Sequence, residues 1–162
     1  MIQKVYHFEY QTFASSEELN EDDRLLMEEA RAATTKAYAP YSNFSVGAAV
    51  LLSDGSVVSG ANQENASFPA GICAERVVLA AVSSLHKNAD IKKMAISYFN
   101  AEGSSSDPIT PCGICRQALA EYTYRSGHAI PLILSGMEGE VWIVPDTLLL
   151  LPMSFSGKDL KK

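Results

Sequence analysis

The order of apolar patterns along this chain predicts an α/β fold, a three-layer αβα sandwich around a mixed central sheet of about five strands. Three observations carry that expectation. Short apolar or alternating runs take turns with segments of helical period. One helical segment, 73–86, is apolar nearly all round, which suits a helix buried inside the molecule. A turn at Ser53-Asp54-Gly55 separates two apolar runs that can fold back on each other. A sheet covered by helices on both faces accommodates all three.

The elements follow in order. Residues 3–13 alternate, with Val5 on the side away from Tyr6, Phe8 and Tyr10, and read as a strand. Residues 1–20 as a whole read as an N-terminal extension that could add an edge strand to the sheet. Ser15-Ser16-Glu17-Glu18 and Asn20-Glu21-Asp22-Asp23 supply caps and acids for a helix start. That helix is expected over 24–38, with Leu25, Leu26, Ala30, Ala33 and Ala37 at helical spacing, and Pro40 ends it. Residues 44–52 and 56–60 form the hairpin. The buried helix follows over 73–86, then a strand over 94–99 and a flexible loop over 103–107. A helix over 112–124, strands over 130–135 and 140–144, and a short helix to residue 151 complete the chain. No repeat, linker or low-complexity tract divides it, so 1–162 reads as a single domain.

Composition narrows the function classes. The chain has 162 residues, and 47% of them are hydrophobic, enough to build a core. Thirteen Lys and Arg against 19 Asp and Glu give a formal charge of −6, which argues against a nucleic-acid partner. The first residues lack the basic-then-apolar order of a secretory signal, and the apolar run 148–153 is too short to span a bilayer. A cytoplasmic location without a membrane partner is expected. Three cysteines in a reducing compartment point away from a disulfide framework.

Those cysteines hold the strongest chemical signal. Pro111-Cys112-Gly113-Ile114-Cys115 puts two thiols three apart on one face at a helix start. Unpaired N–H groups and the positive dipole end favour thiolate there. Alone, this spacing also fits a redox pair, half of a structural zinc site or two buried cysteines. Cys73-Ala74-Glu75 adds a third thiol at the start of the buried helix. Three protein ligands without a fourth leave an open position, as in catalytic rather than structural zinc sites. His7, His86 and His128 lie in no ligand spacing with the cysteines and read as surface or capping residues. Glu75 lies two residues from a candidate ligand. It could be a simple helix-start acid, or it could carry protons at a metal site. The joint pattern C-x-E followed by P-C-x-x-C matches the zinc deaminase signature, in which the Glu is not a ligand.

At these residues the chain resembles the cytidine deaminase family, in its small homo-oligomeric form with three cysteine ligands. The resemblance runs through Tyr38-Ala39-Pro40-Tyr41-Ser42-Asn43-Phe44 to residue 49, and through 60–76 with Asn62-Gln63-Glu64-Asn65 and Cys73-Ala74-Glu75-Arg76. It continues in Thr110-Pro111-Cys112-Gly113-Ile114-Cys115-Arg116-Gln117 and ends in Leu150-Leu151-Pro152-Met153-Ser154-Phe155, so it covers roughly 25–160. It implies a cytidine deaminase-like fold, Zn²⁺ as cofactor, and hydrolytic deamination of cytidine and deoxycytidine to uridine and deoxyuridine in pyrimidine salvage. It implies Cys73, Cys112 and Cys115 as zinc ligands and Glu75 as the proton carrier. Asn62 and Glu64 match the pair that grips the ribose hydroxyls, Phe44 an aromatic near the pyrimidine, and Ala74 a backbone contact to the base. Phe155 matches an aromatic that reaches the site across a subunit boundary. Arg76 matches a charge-compensating arginine, and Gln117 stands with it as a donor that would temper the thiolate charge. The implied partners are a pyrimidine nucleoside and further copies of the chain, four by resemblance, with a dimer as the alternative. Ala61 and Phe68 stand where many members carry Cys and Tyr, which bears on assembly rather than on the chemistry.

Without that resemblance, Asn62 and Glu64 would read as turn residues, Phe44 as core and Arg76 as a surface cation. Three other functions compete: deamination of another aminated ring, a metal-stabilised binding protein without catalysis, and deamination of polynucleotides. The −6 charge disfavours the last.

Overall fold

The structure is a computed structural model and describes residues 1–161. A six-stranded sheet runs β1-β6-β5-β4-β2-β3, with β1 Gln11–Phe13, β2 Phe44–Leu52, β3 Val57–Ala61, β4 Ile91–Asn100, β5 Leu132–Ser135 and β6 Val141–Val144. Only β4 and β5 pair in parallel. The sheet is therefore mixed, as expected, and its sixth strand is β1, the edge strand that residues 1–20 could add to the expected five or so.

Three helices cover it. Helix α1 (Glu21–Ala33) packs Leu26, Met27 and Ala30 against Ala49, Ala95 and Ile133. Helices α2 (Ala74–Leu85) and α3 (Gly113–Ser126) meet the opposite face, where Val78, Leu79, Val82 and Leu119 join Ala48, Val50, Met94, Ile96 and Leu132. The period-two alternation of β2 thus feeds both cores. Gly47 lies where α1 comes closest: a Cβ there would stand 2.1 Å from the Ala30 carbonyl oxygen. Only a residue without a side chain permits that approach.

Differences from the sequence reading have local causes. Helix α1 begins at Glu21, three residues early, because the Asn20 side chain accepts from the Asp23 amide as its N-cap. It ends at Ala33 and tightens into a 3-10 turn, Thr34–Lys36. There the Thr34 and Thr35 hydroxyls donate to the Arg31 and Ala32 carbonyls, 2.7 and 2.8 Å, the competition that these side chains offer to helical continuation. The strand expected over 3–13 is paired only at Gln11–Phe13, because its partner β6 is four residues long. Residues 1–10 run on beyond the sheet in no regular element. The short helix before residue 151 is a 3-10 turn, Thr147–Leu150. No helix among the described residues is long and apolar enough to cross a membrane.

Candidate metal centre and cleft

Helices α2 and α3 bring their N-termini together on one side of the sheet. Cys73 is the N-cap of α2 and Cys112 the N-cap of α3, and neither helix has a side-chain capping bond. Cys115 lies in the first turn of α3 and is fully buried. Two positive helix ends therefore meet at the thiols, where thiolate is favoured.

The three sulfur atoms lie within 4.8 Å of one another. Cys73 Sγ is 3.8 Å from Cys112 Sγ, which is 3.5 Å from Cys115 Sγ. Three thiolates at 2.3 Å from a tetrahedral zinc would stand roughly 3.8 Å apart. The donor set fits zinc, and it is the one metal-ligand cluster of His, Cys, Asp or Glu among the described residues. The histidines take no part in it. Burial is graded, with Cys115 inside, Cys73 half-buried and Cys112 exposed, so one side of the cluster faces solvent.

Proton sharing accompanies this closeness. A hydrogen bond from Cys115 lowers the Cys73 thiol to about 6, against an ordinary 9.0. The same bond, with burial, pushes the Cys115 thiol up. Glu75, 4% exposed, has its carboxyl raised by desolvation, against opposing hydrogen bonds from its own amide and Cys115 and the charge of Arg76. A buried carboxyl with a raised pKa holds a proton more readily than a surface one.

A cleft of about 500 Å³ opens beside the thiols, and Asn62, Glu64, Ile72 and Cys73 line it with Tyr41, Ser42 and Phe68. Its frame is a set of crossed backbone bonds. Gln63 and Ile72 exchange N–H and C=O at 2.9 Å, and the Glu64 amide donates to the Tyr38 carbonyl at 2.7 Å. Both ends of the Asn62 amide are fixed to β2: its oxygen accepts from the Val46 amide (2.7 Å) and its nitrogen donates to the Phe44 carbonyl (3.0 Å). Glu64 accepts from the Tyr41 and Ser42 amides, at 2.9 and 3.3 Å. Hydrogen bonding from the Ser42 side chain, and then from the Tyr41 and Ser42 amides, holds its carboxyl below the ordinary 4.5.

The remaining residues singled out in the sequence stand around this cleft rather than in its lining. Phe44 stacks on Tyr98, centroids 4.8 Å apart and 16° between planes. Ala74 is buried in the first turn of α2. Arg76 is half-buried on α2, and its charge acts on both Cys73 and Glu75. Gln117 has a different partner from the thiols: its amide donates to the Phe155 carbonyl at 2.9 Å. Phe155 as a whole residue is 58% exposed.

Two contributors escaped sequence reasoning. Arg116 donates to the Pro111 carbonyl (2.8 Å), the Thr110 hydroxyl (3.1 Å) and the Leu150 carbonyl (3.2 Å), which braces the turn that presents Cys112. Its place directly after the C-x-x-C pair was the available signal. Tyr41 and Ser42 lead into Asn43, which has a left-handed φ of 54°. That turn aims their amides at Glu64, and no pattern in the sequence announces it.

Open on one side, with three thiols at helix ends and a buried carboxylate beside them, the site defines a zinc protein of the hydrolytic type rather than one with a closed structural zinc. Residues 20–127 match the family model described as the cytidine and deoxycytidylate deaminase zinc-binding region. A cytidine deaminase of Halalkalibacterium halodurans is 37% identical over 139 residues, 86% of this chain and 98% of its own. One from Sporosarcina psychrophila is 37% identical over 142 residues, 86% and 95% of the two chains. The crystal structure of the Burkholderia pseudomallei cytidine deaminase superposes with a TM-score of 0.70 at 37% identity, covering 85% of this chain and all of that one. This chain belongs to the cytidine deaminase family, and its cofactor is zinc.

Proposed function

We propose that the protein hydrolyses cytidine and deoxycytidine to uridine and deoxyuridine, releasing ammonia, with Cys73, Cys112 and Cys115 holding zinc and Glu75 moving the protons. One observation carries the reading: a buried carboxyl, Glu75, stands beside three thiols at zinc spacing, next to a nucleoside-sized cleft. A purely structural zinc site needs no such carboxyl.

Zinc, when bound, acts as a Lewis acid and makes water a nucleophile at neutral pH. Glu75 would take a proton from the attacking water and pass it to ring N3 as the water oxygen bonds to C4. It would then carry the remaining hydroxyl proton to the exocyclic nitrogen, so that the C4–N bond breaks, C4 keeps the oxygen as a carbonyl and ammonia departs. Burial suits Glu75 to hold each proton between transfers. Asn62 and Glu64 bind the ribose hydroxyls, so free cytosine leaves polar groups unpaired and is a poor substrate. Phe44 packs near the pyrimidine, held by Tyr98, and the Ala74 backbone contacts the base. Arg76 offsets the negative charge of three thiolates. Gln117 acts through the C-terminal segment that it grips.

Residues 1–162 form one domain in this reading, supported by the single continuous sheet, with 1–20 as its extension. Tyr41, Phe68, Met153 and Phe155 leave much apolar surface near the site and its flanking segment exposed, which supports assembly of copies with Phe155 entering a neighbouring site. A homotetramer is the favoured state. Three free thiols suit the cytoplasm.

The test is to incubate the protein with cytidine and follow both the ultraviolet change from cytosine to uracil and the ammonia released. Conversion that a zinc chelator abolishes supports the reading. Zinc-loaded protein that leaves cytidine, deoxycytidine and related aminated nucleosides untouched overturns it.

A further inference from the structure

Residues 1–10 take no part in the sheet, yet they are anchored. The Tyr6 hydroxyl donates to the Leu149 carbonyl at 2.9 Å, across 143 positions of sequence. Tyr6, Phe8 and Tyr10 form a ladder that ends on Trp142, with successive centroids 6.4, 6.3 and 5.3 Å apart. Spacing by two puts the rings on one side of an extended chain. The pairing of Thr12 with Trp142 in β1–β6 sets their register, and a slip of one residue would turn all three away.

The carbonyl next to Leu149 is held from the other side. Leu150 accepts from Arg116, whose remaining donors hold Thr110 and Pro111 in front of Cys112. Gln117, the next residue of α3, grips Phe155. Two adjacent carbonyls, 149 and 150, are thus pulled by the N-terminal strap and by the helix that bears two of the thiols. If the strap lets go, the 149–150 peptide keeps the bonds of its 3-10 turn but loses the one that holds the Leu149 carbonyl from outside, and the Leu150 carbonyl is held less firmly for Arg116.

We infer that the N-terminal segment is a brace for the metal centre, with Tyr6 as a positioning residue that acts through Leu149, Leu150 and Arg116 on the turn carrying Cys112. The coupling is reciprocal: whatever factor strap docking adds to zinc affinity, zinc binding adds to strap docking. The inference rests on the zinc reading of the three thiols, and it is independent of the substrate.

The chain's single tryptophan makes this measurable. Trp142 lies under the strap, and its indole N–H is buried without a hydrogen-bond partner, so lifting the strap admits water and shifts its emission to the red. The experiment measures zinc affinity by competition with a chromophoric chelator while recording Trp142 emission. It compares the full chain, Tyr6→Phe, and a chain lacking residues 1–10 but retaining β1. Tyr6→Phe keeps the ladder and should weaken zinc by about threefold, the worth of one neutral hydrogen bond. The deletion should weaken it by ~10-fold, as loss of support behind a metal site does. Zinc removal should red-shift Trp142 in the full chain and leave it unchanged in the deletion. Zinc affinity within twofold of the full chain in both variants, even with a lowered melting temperature, would make the strap a stabilising edge only and overturn the proposal. A full chain that binds no zinc overturns the metal reading first, and this proposal with it.

Discussion

The metal cluster and the cleft beside it are built by opposite means. The cluster is made by helix starts: Cys73 and Cys112 are N-caps, Cys115 is in a first turn, and each is placed by the local geometry of its own helix. The cleft is made by loops that lend one another backbone groups, with Tyr38, Asn62, Gln63, Glu64 and Ile72 tied by bonds such as Glu64 N–H to Tyr38 C=O. Loss of a ligand from the first should therefore be all or nothing in the metal. Damage to the second should be graded, and should appear in substrate affinity while zinc stays.

The largest effect expected is from Cys112→Ala, which removes the exposed thiol and leaves only Cys73 and Cys115. Zinc content should fall to background and turnover with it, as elemental analysis and the deamination assay would show. If zinc stays at one per chain, the ligand set is wrong. Asn62→Ala comes next. It removes the amide that lies between β2 and the cleft, and should raise KM for cytidine by about 10-fold or more with zinc retained. A change in kcat alone would place Asn62 elsewhere in the mechanism. Arg116→Ala tests whether cluster and cleft are separable. It should lower zinc affinity by ~10-fold with little change in KM, whereas a pure KM effect would move Arg116 to the cleft.

The smallest effect concerns Glu64. Its hydrogen bonds from Ser42 and Tyr41 favour the carboxylate, so its grip on the 41–42 turn persists as pH falls through 4.5 and is lost only lower, as the carboxyl finally protonates. A titration of this carboxyl by NMR should have its midpoint below 4.5, and Ser42→Ala should move that midpoint up. A midpoint at or above 4.5 in the unaltered chain would mean that the turn does not hold Glu64.

The same contrast explains what the sequence made legible. C-x-E and P-C-x-x-C are short-range patterns, and a helix start translates them directly into converging sulfurs. The β2–β3 hairpin and the buried α2 were readable for the same reason, since turn chemistry and apolar period are local. The Phe155 partner of Gln117 and the Leu150 partner of Arg116 depend on where residues 147–155 return, which no local period encodes. Asn62 and Glu64 look like turn residues in isolation, and their roles rest on a family resemblance and a loop geometry set by Asn43. The first strand was read too long because its length is decided by β6, some 130 residues later.

The central claim is that Glu75 moves protons at a zinc site it does not build. Glu75→Gln, assayed for zinc content and cytidine turnover in the same preparation, tests it most directly. The account predicts a full complement of zinc and a loss of turnover by ~10²–10⁴. Turnover close to that of the unaltered chain, with zinc bound, would contradict it.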